Sequence, residues 1–296
     1  MAQSFKYAAI FGKPRADGIG KPLAEIAAIV ERAGATPLFD AATRAAARLD
    51  AYPGYSLQQI GKRADVAIVL GGDGTMLGIA RELAPFQVPL IGVNHGRLGF
   101  ITDIALDQIE VLADMLAGRY VTDRRALLEA AVLRDGAAIF GGRALNDVVV
   151  SRGVAGGLVE FTVRVDGVTM YNQRADGLIV ATPTGSTAYA LSANGPILHP
   201  SLAGLVLVPV APQTLSNRPI TLPDSCVLEI ELTDGRDASA HCDMQSFWLL
   251  QPGDVVRVYR SAEVVTLLHP VGYNYFATLR QKLHWNVMPS ERHGRA

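Results

Sequence analysis

Residues 63–103, RADVAIVLGGDGTMLGIARELAPFQVPLIGVNHGRLGFITD, decide how this chain is read. An apolar run from Val66 to Leu70 ends in Gly71-Gly72-Asp73-Gly74-Thr75. Helical spacing then begins at once, through Met76, Leu77, Ala80, Leu83 and Ala84, and stops near Pro85. The pattern is a buried strand, a glycine-rich turn and a helix, with one carboxylate among the glycines. Glycine lets backbone N–H groups approach a ligand closely, and a helix start adds partial positive charge. Gly71, Gly72, Gly74 and Thr75 therefore read as a phosphate loop. An acid there is repelled by phosphate, by roughly 1 kcal/mol in water and roughly 4 kcal/mol at an intermediate dielectric for unit charges about 4 Å apart. A divalent cation shared with the phosphates, Mg²⁺ being the expected ion, offsets that repulsion. An Asp73 that faces a substrate hydroxyl can also take its proton as phosphorus is transferred. The alternative is a tight turn in which Asp73 only caps the following helix.

Working outward, Tyr7 to Phe11 reads as a strand, and Leu23, Ile26, Ala27, Val30 and Ala33 recur at helical spacing up to Gly34. Thr36 to Phe39 and Pro89 to Val93 are further strands, and Ile104 to Gly118 reads as a helix with Ile109, Leu112, Met115 and Leu116 on one side. This alternation predicts an α/β domain, a Rossmann-like parallel sheet with covering helices, in which loops at the carboxyl ends of strands bind ligands. Beyond it the period becomes two. Val159, Phe161, Val163 and Val165 alternate with polar residues before Asp166-Gly167, and Leu228, Ile230 and Leu232 do so before Asp234-Gly235. Those pairs and Arg134-Asp135-Gly136 read as hairpin turns, so the second domain is expected to be mostly antiparallel, all-β. Helical spacing returns from Asn274 to Trp285, with Phe276, Leu279 and Leu283 on one face. The expected division is 1–121 for the α/β domain, 122–269 for the all-β domain, and 270–296 for a C-terminal segment that packs back on the first.

Composition narrows the function. A chain of 296 residues buries about three quarters of its unfolded surface and needs no staple. A net charge of −1 with 49% apolar residues argues against a nucleic-acid-binding face. No apolar run approaches the roughly 18 residues of a membrane span, and the N-terminus lacks the pattern of a cleaved leader. Cys226 and Cys242 form no Cys-x-x-Cys pair and read as reduced thiols of a cytoplasmic protein.

A second constellation lies in the all-β half. Asn146-Asp147 opens the apolar run Val148-Val149-Val150, Arg174-Ala175-Asp176-Gly177 precedes Leu178-Ile179-Val180, and Thr182-Pro183-Thr184-Gly185-Ser186-Thr187-Ala188-Tyr189 runs on to Ser192. Small hydroxylated side chains and exposed N–H groups suit a nucleotide. The alternative is structural: a helix start capped by Ser186 or Thr187, with Asn146 and Asp147 as turn residues. His241-Cys242-Asp243 is no metal site, because consecutive strand residues face opposite sides. Phe247 and Trp248 read as core. Arg97 either meets phosphate charge, is a solvated loop residue or makes a salt bridge.

Gly71 to Thr75, Asn94 with Gly99-Phe100, Asn146-Asp147, Asp176-Gly177, Thr182 to Tyr189 and Pro209 to Ile220 together closely resemble the bacterial NAD kinases. The resemblance implies ATP-dependent phosphorylation of the 2′-hydroxyl on the adenosine ribose of NAD, giving NADP. By motif position, Asp73 accepts the hydroxyl proton and Gly74 lies against the same ligand. Asn146 and Asp147 hold NAD, Arg174 and Asp176 flank it, and Thr184, Thr187, Ala188, Tyr189 and Ser192 enclose the nucleotide, with Gln245 as a late contact. The partners implied are NAD and ATP, the cation is held mainly by phosphates with no direct protein ligand, and subunits assemble as homodimers or homotetramers. Ala211-Pro212-Gln213, Met244 and Gly157 depart from what many relatives carry. Two rival readings are another kinase with this glycine loop, acting on a lipid or sugar phosphate, and an NAD(P)-binding regulator without turnover.

Overall fold

A computed structural model describes residues 5–13, 18–96, 99–153, 157–214 and 216–285. Arg97 lies outside them. The chain forms two compact units, one of residues up to Asp123 together with those from Thr266 onward, the other Arg124–Val265.

The first unit runs β1 (Tyr7–Gly12), α1 (Gly20–Arg32), β2 (Thr36–Asp40), α2 (Ala41–Ala47), β3 (Gly54–Tyr55), α3 (Leu57–Gly61), β4 (Val66–Gly71), α4 (Asp73–Leu83), β5 (Leu90–Asn94), β6 (Ile104–Ala105) and α5 (Val111–Leu116). Strands pair in parallel in the order β5-β4-β1-β2-β3. Every residue of β4 and β5 is buried, as expected for a parallel sheet covered on both faces. Leu23, Ile26, Ala27, Ile29 and Val30 of α1 pack into the same core as Ile10, Ile68, Leu70 and Val93. The result is the predicted α/β arrangement, and it puts the turn after β4 at the carboxyl edge of the sheet.

One helix is shorter than the sequence predicts. Ile104–Ala105 pairs in parallel with Val93–Asn94 as β6, Leu106–Gln108 forms a 3₁₀ turn, and α5 starts only at Val111. A run of apolar residues reads alike as buried strand or buried helix, and here the ladder with β5 takes Ile104.

The second unit contains β7 (Tyr120–Arg134), which enters it from the first, β8 (Ala137–Ala144), β9 (Asp147–Ser151), β10 (Val159–Val165), β11 (Val168–Ala175), β12 (Gly177–Ala181), α6 (Tyr189–Ser192), β13 (Gly204–Val210), β14 (Ile220–Pro223), β15 (Leu228–Asp234), β16 (Ser239–Cys242), β17 (Ser246–Leu249) and β18 (Val255–Pro270), which returns to the first. One antiparallel sheet has the order β14-β13-β12-β9-β16-β17, and another set joins β11, β10, β15 and β18 in that order. Leu128, Val148, Val150, Phe161, Leu178 and Ile230 belong to one buried cluster. Asp166-Gly167 and Asp135-Gly136 make the predicted hairpins, each with positive φ at both residues, +49° and +80° in the first and +51° and +78° in the second. Asp234-Gly235 does not, because β15 and β16 belong to different sheets.

Phe247 and Trp248 are not core either. They sit on the edge strand β17 and are 62% and 37% exposed, with the Trp248 ring stacked on Phe140. After β18 comes α7 (Tyr275–Leu283), in the first unit, whose start Asn274 caps by accepting the N–H groups of Phe276 and Ala277. Its buried residues are Thr278 and Leu279, and Phe276 faces solvent.

Candidate active site

Asp73 is the first helical residue of α4, directly after the Gly72 N-cap, and no side chain caps that helix. Its carboxylate points to the segment after β5. The Phe100 N–H donates to Oδ2 at 2.8 Å, and the Ile101 N–H and the Thr102 hydroxyl donate to Oδ1 at 3.3 and 2.9 Å. The capping alternative is thereby set aside. Thr102 is fully buried, and its oxygen accepts from Asn94 Nδ2 at 3.0 Å, while Asn94 Oδ1 accepts the Gly96 N–H. A relay of donors, Asn94 to Thr102 to Asp73, thus fixes the acid. A carboxylate offers about four lone-pair positions, and three are used here. The fourth, on Oδ2, can accept a proton or contribute to a cation.

The glycines divide their work. A Cβ on Gly71 would lie 2.7 Å from Thr75 Oγ1, so that glycine lets Thr75 pack down on the turn. Nothing lies within 4 Å of the same position on Gly72, which therefore leaves open space above the loop.

In the second unit the structure brings the two polar motifs together. The Thr182 N–H donates to the Asn146 carbonyl at 2.9 Å, and the Thr182 hydroxyl donates to the Leu145 carbonyl at 2.6 Å. Gly185 approaches Asn146 so closely that a Cβ would fall 2.0 Å from its carbonyl oxygen. The turn itself is built by Asp243, whose carboxylate accepts the N–H groups of Leu145, Asn146 and Asp147 at 2.8–3.1 Å. Asp243 was weighed in the sequence only as a rejected metal ligand, and no spacing announces this role. The Asp147 side chain is buried, and desolvation, together with the neighbouring Asp243 charge, pushes its pKa up to about 7.

Not every hydroxyl in the threonine-rich run awaits a ligand. Thr182 and Ser186 are buried and bonded within the chain, Ser186 to the Pro183 carbonyl and the Leu198 N–H. The Thr187 hydroxyl donates to the Thr184 carbonyl, and the Thr184 hydroxyl accepts from Arg125 Nη1 at 3.1 Å. Arg125, like Arg152, is a contributor the sequence reading missed.

Asp176 and Tyr189 line a pocket of about 370 Å³ with Ser151, Arg152, Gly153 and Gly177. Arg152 Nε donates to the Asp176 carboxylate. Ser192 lines a second pocket, about 600 Å³, with Asn194, Ala211, Pro212, Asn217 and Arg218. Ala188 is the N-cap residue before α6 and is partly buried, and Gln245 is exposed just after Asp243. Arg174 is exposed on β11, with its guanidinium 3.3 Å from Glu160.

The first unit thus carries a glycine-rich turn with a fixed carboxylate on its parallel sheet, and the second carries a cluster of small hydroxyls and a buried acid on its antiparallel sheet. The model of the ATP-NAD kinase N-terminal domain matches residues 42–120, and that of the C-terminal domain matches 145–269. The NAD kinase of Cupriavidus pinatubonensis is 58% identical over 288 residues, 97% of this chain and 94% of that protein. That of Burkholderia pseudomallei is 55% identical over 98% of this chain and 97% of its own length. The chain belongs to the ATP-NAD kinase family. Among solved structures, yeast NADH kinase complexed with NADH shares the fold, with a TM-score of 0.88 at 22% identity over 97% of this chain and 89% of that one. An NAD kinase from Archaeoglobus fulgidus in complex with ATP has a TM-score of 0.73 at 25% identity over 94% and 98% of the two chains. No helix among the described residues is long and apolar enough to cross a membrane.

Proposed function

We propose that the chain transfers the γ-phosphoryl group of ATP to the 2′-hydroxyl on the adenosine ribose of NAD, giving NADP, and that Asp73 accepts the proton of that hydroxyl. The observation that carries this reading is the Asp73 carboxylate, held by three donors with one acceptor position on Oδ2 left for substrate. A group fixed before the substrate arrives needs no reorganisation as charge develops, which is where such sites gain rate. A carboxylate serving only to bind anionic dinucleotide would oppose that binding.

Asn146 and Asp147 hold NAD in this reading, Arg174, Asp176 and Gln245 flank it, and Thr184, Thr187, Ala188, Tyr189 and Ser192 enclose it. Gly71, Gly72, Gly74 and Thr75 present backbone to phosphate. Asp147, with a pKa near 7, can donate as well as accept a hydrogen bond at neutral pH.

The described residues contain no group of three His, Cys, Asp or Glu donors placed to hold a metal ion. A hard divalent cation such as Mg²⁺ fits the chemistry when its oxygen ligands come from the ATP phosphates and water, with no direct protein ligand, because the open position on Asp73 Oδ2 is left for the ribose hydroxyl. When bound, it neutralises charge on the phosphates. The reading extends to a homodimer or homotetramer in the cytoplasm, in keeping with two buried cysteines outside any disulfide.

The purified chain is mixed with ATP, magnesium chloride and NAD, and NADP is followed with an NADP-specific dehydrogenase. Product that depends on all three supports the reading, and no NADP overturns it.

A further inference from the structure

The segment that holds Asp73 is itself tied down by a buried histidine. His269, next to the last residue of β18, is 1% exposed. Its Nδ1 lies 2.9 Å from Asp103 Oδ2 and its Nε2 lies 3.5 Å from Asp123 Oδ2. The Tyr273 ring stacks on the imidazole, with centroids 3.8 Å apart and planes 7° from parallel. Asp103 directly follows Thr102, the hydroxyl donor to Asp73. Its second oxygen, Oδ1, is buried without a hydrogen-bond partner, so His269 is the group that compensates this carboxylate. A buried acid with one partner stays in place only while that partner does.

We propose that His269 is a positioning residue for phosphoryl transfer, which through Asp103 fixes the Gly99–Thr102 segment and thereby the Asp73 carboxylate. This rests on the reading of Asp73 as proton acceptor. His269 touches no reacting atom in this account. The charged groups facing it are Asp103, which precedes β6, and Asp123 of β7, with the Tyr273 ring over its face. Burial alone lowers the imidazole pKa, but the hydrogen bond to Asp103 and the nearby charge of both Asp103 and Asp123 outweigh it, and the net shift is upward. A folded pKa raised above the unfolded value means that the stabilisation from the charged imidazole is complete below the unfolded value and is lost as pH rises through the folded one. Above that point two carboxylates face a neutral ring, and the segment loosens.

The test uses the full chain and the variants His269→Gln and Asp103→Asn. For each single variant kcat is expected to fall about tenfold while KM for NAD stays within about twofold, because positioning acts on the transition state. The double variant should be no worse than the singles. The parent kcat should decline on the alkaline side, and His269→Gln should lack that limb. Amide hydrogen exchange adds a readout that needs no turnover. Phe100 and Ile101, whose N–H groups donate to Asp73, should exchange about tenfold faster in both variants. Unchanged kcat with unchanged exchange overturns the inference, as does a lower Tm with kcat and its pH profile intact. Should His269→Gln fail to fold, Asp103→Asn carries the same readouts with the histidine in place. A parent protein that makes no NADP contradicts the proposed function, while exchange in the variants still decides whether the tie exists.

Discussion

Gly99 and Asp73 occupy one space: a Cβ built on Gly99 would sit 1.9 Å from Asp73 Oδ1 and 2.2 Å from Thr102 Oγ1. Neither neighbour can withdraw without breaking the hydrogen bond between them. Gly99→Ala should therefore turn the acid out of position. We expect kcat to fall at least about a hundredfold, with NAD affinity within a few fold, since misplacement by about 1 Å is costly in a preorganised site. Steady-state kinetics with calorimetric NAD titration checks the split, and a normal kcat would show that Asp73 needs no such seat.

Thr102→Val keeps the shape and removes the hydroxyl. Asp73 loses one donor, and Asn94 Nδ2 is left buried without its acceptor. Stability should drop by about 1–3 kcal/mol. Turnover should fall about tenfold from the weaker hold on the acid. Urea unfolding and initial rates measure both, and Thr102→Ser should recover most of each.

Asp243 organises the Asn146-Asp147 turn through three backbone N–H groups. Asp243→Asn sets an amide donor against those donors and should cost about 1–3 kcal/mol of stability. It should also raise KM for NAD, because the turn that presents Asn146 loosens. An unchanged KM would detach that turn from dinucleotide binding.

Asp147 gives a pH signature with a definite sign. Its pKa is about 7 folded against the ordinary aspartate value of 3.8, so between those values the folded state holds a proton that the unfolded state has released. Stability from this group is complete below the lower value and is lost as pH rises toward 7. Asp147→Asn has no such proton to lose. Its stability relative to the parent should increase as pH rises from about 4 to about 7 and then level off. Thermal melts of both proteins across that range decide it, and a constant difference would show that Asp147 titrates normally.

Legibility from sequence followed the locality of the cause. The β4-GGDGT-α4 unit is local, a change of hydrophobic period across a glycine turn, and the structure reproduces it. Asp166-Gly167 is equally local, because positive φ at two successive residues is a property of those residues. Asp234-Gly235 has the same composition, yet the strand after it joins another sheet, and that choice depends on Val148 to Ser151 far upstream. Phe247 and Trp248 follow the same rule, since only the sheet order reveals that β17 is an edge. For the site, Asp73 was visible as an acid among glycines, but its donors lie 27 to 29 residues away in a loop with no periodicity. Asp243 lies 96 to 98 residues from the groups it holds. Residues proposed for the chemistry are marked by type and motif, whereas the groups hydrogen-bonded to them are placed by topology.

If Asp73 takes the proton from the ribose hydroxyl, Asp73→Asn separates binding of NAD from its turnover. That variant should keep NAD affinity within a few fold of the parent while NADP formation falls by roughly 10²–10⁴, the range of a lost general base. Near-normal turnover of that variant would contradict it.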